Sequence, residues 1–271
     1  MKGQTIVRWL VVALAALIGG GTAASAQAPP RTAWVDSFSV DKKDLVPAGS
    51  NAFFRLEPGY TLVLAKGDER LVVTVLEETR LIDGVETRVV EERESKGGRL
   101  VEISRNFYAF NAADRGVYYF GEEVDIYKGG RVVGHEGAWQ SGRNGARFGL
   151  MMPDKPELGA RFYQEIAPGV AMDRAEIVSL EATLKTPAGE FKGCLKVAET
   201  NPLESGGKEY KLYAPGIGLI KDGPLLLVEH GPGEKTAAKA PRARPRRASM
   251  ERAVFLLKTN LVGDPKMGSP I

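Results

Sequence analysis

Apolar and polar residues alternate in short runs along most of this chain, and the runs are separated by glycine-containing turns. Tyr60 to Leu64 is one such run; Gly67-Asp68 turns it into Arg70 to Leu76. Leu81-Ile82, Asp83-Gly84 and Val85 to Glu92 read as a hairpin, with Asp-Gly supplying the two positive-φ positions of a type I′ turn. Val85, Thr87 and Val89 alternate with Glu86, Arg88 and Val90, which predicts one buried and one wet face. Leu100 to Phe110, Val117 to Tyr127 and Arg131 to Val133 follow. Arg161 to Glu165, Ala175 to Leu184, Phe191 to Glu199, Lys208 to Tyr213, Gly218 to Lys221 and Leu225 to Glu229 complete the series. No long stretch has the helical period. The expectation is a mainly β protein: a single antiparallel meander forming a curved sheet, half-barrel or sandwich, with little helix.

Residues 129–149 break this rhythm. They hold seven glycines around Trp139 and read as a long irregular connection, either a binding loop or a packed Ω-loop. Pro58-Gly59, Pro168-Gly169 and Pro215-Gly216 fit type II turns, in which Pro fixes φ and Gly takes positive φ. Such turns set register and shape, not chemistry.

The pattern divides the chain into residues 1–26, 27–230 and 231–271. The first segment reads as an export signal: Lys2 and Arg8, an apolar stretch from Trp9 to Ile18, then Ala24-Ser25-Ala26 as a cleavage site. Ten residues make only about 15 Å of helix against roughly 30 Å of hydrocarbon, so no transmembrane segment is expected in the mature chain. The sole cysteine, Cys194, is far from any cleavage point, which excludes a lipoprotein anchor. The last segment contains EKTAAKAPRARPRRAS, a basic, Pro/Ala-rich tail that lacks large apolar residues. It is expected to be disordered and suited to touching anionic surfaces. Nucleic acid is not an expected partner, since no aromatics interleave with the charges. The net charge of +3 comes from these ends, because residues 27–230 carry 26 basic and 31 acidic side chains, a net −5.

Composition excludes several chemistries. One Cys and two His leave no disulfide framework and no Cys-built or multi-His metal site, and no metal or cofactor is expected. There is no phosphate loop and no Gly-x-Ser-x-Gly elbow; His135-Glu136 lacks the second His of a zincin helix. Asn111, Asp114, Glu123 and Asp125 offer oxygen ligands for a hard cation but have no loop spacing to support one, and read as a solvated face. Carboxylates for a hydrolase would come from Asp114, Glu122 or Glu165. Aromatics crowd two adjacent strands. Tyr108, Phe110, Tyr118, Phe120 and Trp139 are the candidate ligand-binding residues for a lipid-like or small apolar ligand, set against a plain core role.

Asn51 to Lys221 resembles a group of uncharacterised bacterial exported β-rich proteins. The resemblance rests on NAFFRLEPGY at Asn51 to Tyr60, VYYFGE at Val117 to Glu122 and a Gly-x-Trp turn at Gly137 to Trp139. It continues through Thr-Pro-Ala-Gly-x-Phe at Thr186 to Phe191 and Tyr-Ala-Pro-Gly-x-Gly at Tyr213 to Gly218. It implies a β-rich envelope protein with no established activity. Relatives often carry an acid where Asn111 stands, so a shared acid-dependent ion site is not expected here. The resulting expectation is an exported protein, periplasmic or extracellular, that binds an apolar ligand or an envelope protein on a curved sheet. The rivals are a secreted hydrolase with paired carboxylates and an interaction protein tethered by its tail.

Overall fold

A computed structural model describes residues 32–204 and 207–233; the expected signal and the basic tail from residue 234 lie outside them, while Gly231 and Pro232, assigned to the tail, end the last strand. A short 3-10 turn at Lys42–Asp44 precedes sixteen strands. The first six are β1 (Leu45–Val46), β2 (Tyr60–Lys66), β3 (Glu69–Ile82), β4 (Val85–Lys96), β5 (Arg99–Asn111) and β6 (Val117–Lys128). Then come β7 (Arg131–Gly134), β8 (Trp139–Gln140), β9 (Arg147–Met152), β10 (Arg161–Tyr163) and β11 (Glu165–Ile166). The series ends with β12 (Arg174–Thr186), β13 (Gly189–Thr200), β14 (Glu209–Ala214), β15 (Gly218–Asp222) and β16 (Leu225–Pro232).

These strands form one antiparallel sheet, in the order β10-β12-β13-β14-β15-β16-β2-β3-β4-β5-β6-β9-β11. The two strands at the ends of that path are sequence neighbours. Arg161–Tyr163 pairs with β12, and Glu165–Ile166 pairs with β9, with Gln164 alone between them. The sheet therefore curls until its ends nearly meet, and a barrel-like curve results. Val35 adds a parallel bridge at Phe162, accepting from Tyr163 N (2.9 Å) and donating to Arg161 O (3.0 Å).

Residues directly across an antiparallel pair share a face. The inner face can be followed strand to strand through Leu227, Leu64 and Leu71, then Val73, Glu92, Ser104 and Val124. On the far wall Leu195 faces Tyr213, Val197 faces Lys211, and Lys211 faces Asp222. A continuous apolar cluster fills most of this interior, including Leu62, Leu64, Leu71, Val75, Tyr108, Tyr119, Val197 and Leu227. Asn51 to Leu56 closes over the Tyr108 and Phe110 end. Asn51 Oδ1 accepts from Phe53 N and Phe54 N (3.0 and 2.9 Å), and Phe54 meets Tyr108 edge-on at 5.1 Å.

A second cluster lies on the outer face of β4, β5 and β6: Val85, Val89, Phe107, Ala109, Tyr118 and Phe120, covered by Phe38, Val40 and Leu45 from the N-terminal stretch. Both faces of these strands are thus apolar. This is why the simple alternation expected at Val85 to Val90 does not hold, and both Arg88 and Val90 are buried. Arg88 is explained by the register shift in β3 between Val75 and Thr79. It donates to the freed carbonyls of Leu76 and Glu77 (3.3 and 2.8 Å) and to Pro47 O (2.8 Å).

The glycine-rich segment expected to be irregular contains three short strands. β7, β8 and β9 all pair along one edge of β6. Glycine is required at two of these approaches. A Cβ on Gly121, at φ 132°, would overlap the Trp139 carbonyl; one on Gly149 would overlap the Gln164 carbonyl where β9 crosses the seam.

Gly149→Ala is expected to cost about 2 kcal/mol or more, because backbone cannot give way as a side chain can. Gly207→Ala, with nothing within 4 Å, should be neutral. Urea unfolding midpoints of the two variants check this.

Candidate functional site

The sheet register places the five aromatic candidates on two faces. Tyr108 lies across from Tyr119, and Phe110 across from Val117, so Tyr108 and Phe110 point inward with Tyr119. Tyr118 and Phe120 point outward into the second cluster, where Tyr118 packs on Phe38 and Phe120 stacks on Phe148 at 4.9 Å. Trp139 joins the inner group, meeting Tyr119 edge-on at 5.4 Å. Tyr108, Phe110 and Trp139 are brought together; Tyr118 and Phe120 are not part of that group.

Towards the Lys66 and Lys96 end, the inner face turns polar. Glu92, Glu102 and Glu122 come from three consecutive strands, with Glu92 beside Ser104, Glu122 beside Asn106, and Glu94 directly across from Glu102. Lys211 stands on the other wall, bonded to Glu199 (3.1 Å) and within 3.8 Å of Asp222; Gln164 also donates to Glu199 at 3.1 Å. Tyr119 donates to Asn106 Oδ1, and its ring stacks on Tyr108 at 4.6 Å.

Burial dominates the electrostatics of this interior. It pushes the Glu92 carboxyl up to about 7, with Lys211 pulling down and Asp222, Glu94 and Glu102 pushing further up. It pushes Glu122 up to about 8, aided by Glu92 and Glu102 and resisted by the nearby Tyr119 hydroxyl. Tyr108, Tyr119 and Tyr213 are likewise driven above the usual phenol range by burial. Burial alone would lower Lys211, but the carboxylates of Asp222 and Glu199 hold it well above its ordinary value. A region with two carboxyls titrating near neutrality can hold, donate or accept protons at physiological pH.

Glu122 also reaches an open cleft of about 270 Å³ beside the seam, whose lining includes Trp139, Gln140, Arg143, Asn144 and Val170. Trp139 is 6% exposed, and its indole N–H is buried without an acceptor.

The other sequence candidates fall elsewhere. Asp114 accepts from Gly116 N and Tyr118 Oη (both 2.7 Å) at the β5–β6 turn, and burial followed by that carboxylate raises the Tyr118 phenol. Glu165 is on β11 at the seam. Asp125 lies at the opposite end of β6 from Asp114, next to His135 Nδ1 (3.1 Å) and Arg105 (3.6 Å). Asn111 is buried and caps Ala113 N at 2.8 Å. Among the described residues no group of three His, Cys, Asp or Glu is placed to hold a metal ion, and no helix is long and apolar enough to cross a membrane. Cys194 is fully buried, and burial raises its thiol, which disfavours a nucleophilic thiolate. Comparison with protein-family models, with curated proteins and with solved structures gives no match.

Sequence reasoning did not single out Glu92 or Lys211, and Tyr119 figures in it only as one of the crowded aromatics. The usable signal was Glu91-Glu92 within an apolar strand, since one of two adjacent acids must point inward.

Glu92 and Glu122 bind protons more tightly folded than unfolded, so their contribution is complete below the ordinary carboxyl range near 4.5 and is lost as pH rises through about 7 and 8. The melting temperature is expected to fall by about 5 °C between pH 5.5 and pH 8.5, a shift of roughly 1–3 kcal/mol for a chain this size. The double variant Glu92→Gln/Glu122→Gln should flatten that slope, as followed by thermal unfolding at both pH values.

Proposed function

We propose that the body is a non-catalytic binding protein which takes its ligand at the seam cleft. The observation that carries this reading is the double position of Glu122, which lines the cleft and belongs to the proton-holding interior. Most of the inner aromatics are engaged with one another and with the closing Asn51–Leu56 segment. The expected apolar ligand is therefore narrowed to a small amphiphilic one. It would rest against Ala167, Pro168 and Val170 and satisfy the polar groups around Glu122. Such a mixed, concave site is the usual form of a small-molecule site. The N-terminal pattern supports placing the protein among exported envelope proteins, although that segment lies outside the described residues.

A hydrolase is the second reading. It is favoured by one specific observation, that Glu92 and Glu122 titrate near neutrality within electrostatic reach of each other.

Native mass spectrometry of the full chain, purified from the envelope of its producing cells, is expected to show a non-covalent adduct. Val170→Lys places a charge on a half-exposed cleft residue without disturbing the core, and should remove the adduct. A chain that carries no adduct, or an adduct indifferent to Val170→Lys, overturns the binding reading. Turnover of nitrophenyl glycosides or esters, abolished by both Glu92→Gln and Glu122→Gln, would establish the hydrolase instead.

A further inference from the structure

The cleft is framed by two prebuilt turns. In the first, Gly142 N donates to Ala146 O (2.9 Å), Ala146 N to Arg143 O (2.8 Å) and Arg143 N to Gln140 O (3.2 Å), while Ser141 N ties the turn to Phe120 O (2.8 Å). Ser141 Oγ donates to Asp83 Oδ2 at 2.8 Å, which anchors the same turn to the β3–β4 hairpin. Asn144 takes a left-handed φ of 51° at its tip. In the second turn, Ala167 and Ala171 exchange backbone hydrogen bonds of 2.8 and 2.9 Å. Neither turn has to form when a ligand arrives, so little ordering cost opposes binding.

The lining has two characters. Glu122, Gln140, Arg143 and Asn144 bring planar carboxyl, amide and guanidinium groups, each able to engage two neighbouring polar atoms. Ala167, Pro168 and Val170 bring an apolar surface without functional groups. The Trp139 ring closes the floor between the two, with its N–H buried.

We propose that this cleft binds a neutral sugar ring, as one unit of a saccharide chain. A sugar ring has an edge of adjacent hydroxyls, which both donate and accept, and a face of C–H groups. The planar side chains match the first and the alanine, proline and valine surface matches the second. A hydrocarbon chain would set Glu122, Gln140, Arg143 and Asn144 against apolar atoms and leave them unsatisfied. Arg143 opposes a cation while Glu122 and Glu123 would attract one, so spermidine is the control for that alternative. The volume of about 270 Å³ lies just under the usual range for ligand pockets, ~300–1,000 Å³, and so suits one ring with the rest of the chain in solvent. This assignment rests on the binding reading given above and names the class of ligand for the same cleft.

Calorimetric titration of the full chain with maltotriose, cellotriose and chitotriose tests it, with spermidine and dodecanoate run in parallel. At least one trisaccharide should bind saturably. Asn144→Gly, which keeps the left-handed turn at an exposed position, should weaken that binding tenfold or more with little change in melting temperature, and Trp139→Phe, which trims the ring lining the cleft, should weaken it as well. Saccharide binding unchanged in both variants overturns the cleft as its site. Binding of spermidine or dodecanoate that depends on Trp139, with no trisaccharide bound, overturns the sugar assignment and leaves the binding reading standing. If none of the five probes binds, the sugar assignment falls, and the adduct seen or not seen by native mass spectrometry decides the binding reading.

Discussion

The seam at residues 161–166 is the constraint on which the rest depends. A few residues, divided by Gln164, pair with β12 on one side and β9 on the other, and so join the two ends of a long meander. That joint works only because the backbones touch at Gly149. Once the ends nearly meet, most of the inner face is withdrawn from solvent, which it reaches at the polar end around Glu94 and at the cleft beside Glu122. Every residue whose register turns it inward must be packed, bonded or neutralised. The apolar majority fill the space. Among the remaining polar residues, Glu92, Glu122, Tyr108 and Tyr119 acquire raised proton affinities chiefly through burial, whereas Lys211 keeps its proton through the carboxylates of Asp222 and Glu199.

The same enclosure explains why the molecule has two hydrophobic layers. β4, β5 and β6 face the interior on one side and are covered on the other by the stretch around Phe38 and Leu45. The turn Asp83-Gly84 helps hold this cover. Asp83 binds Lys42 at 2.8 Å and accepts from Ser141, which links the cover, the β3–β4 hairpin and the cleft turn at one carboxylate. Burial raises and its hydrogen bonds to Lys42 and Ser141 lower its affinity for protons, and the lowering prevails.

Local features were legible from the residues. Alternation located the long strands, and Asp83-Gly84 adopts the positive φ angles its sequence predicts, at 51° and 77°. Gly59, Gly169 and Gly216 take φ of 85°, 75° and 74°, as their Pro-Gly contexts require. What was not legible is face assignment. Simple alternation gives Tyr118, Phe120 and Glu122 a common side. The bulge at Gly121 inserts an extra residue, so Glu122 joins Tyr119 on the inside while Tyr118 and Phe120 remain outside. Which residue stands across from Tyr108 depends on register between strands, and no single strand encodes that. The short strands β8 and β9 were hidden for a related reason, since their partner, β6, supplies the order their glycine-rich sequence lacks. The segments read as recurrent motifs turn out to be joints: Asn51 caps its own loop, Thr186 bonds Ala188 N at 3.1 Å, and Gly216 N reaches back to Ala52 O at 2.7 Å.

The pairing of β16 with β2 has a kinetic consequence. β2 to β6 and β12 to β16 are each a chain of consecutive hairpins, which zip by local contacts. β16 and β2 come from opposite ends of the described body, so their meeting carries the largest loop-closure entropy in the sheet. Folding is thus divided into two fast local meanders and one slow docking step. Until that step is complete, β2 and β16 are both open edges with apolar residues beside them, and in that interval the chain is most exposed to pairing with another copy of itself.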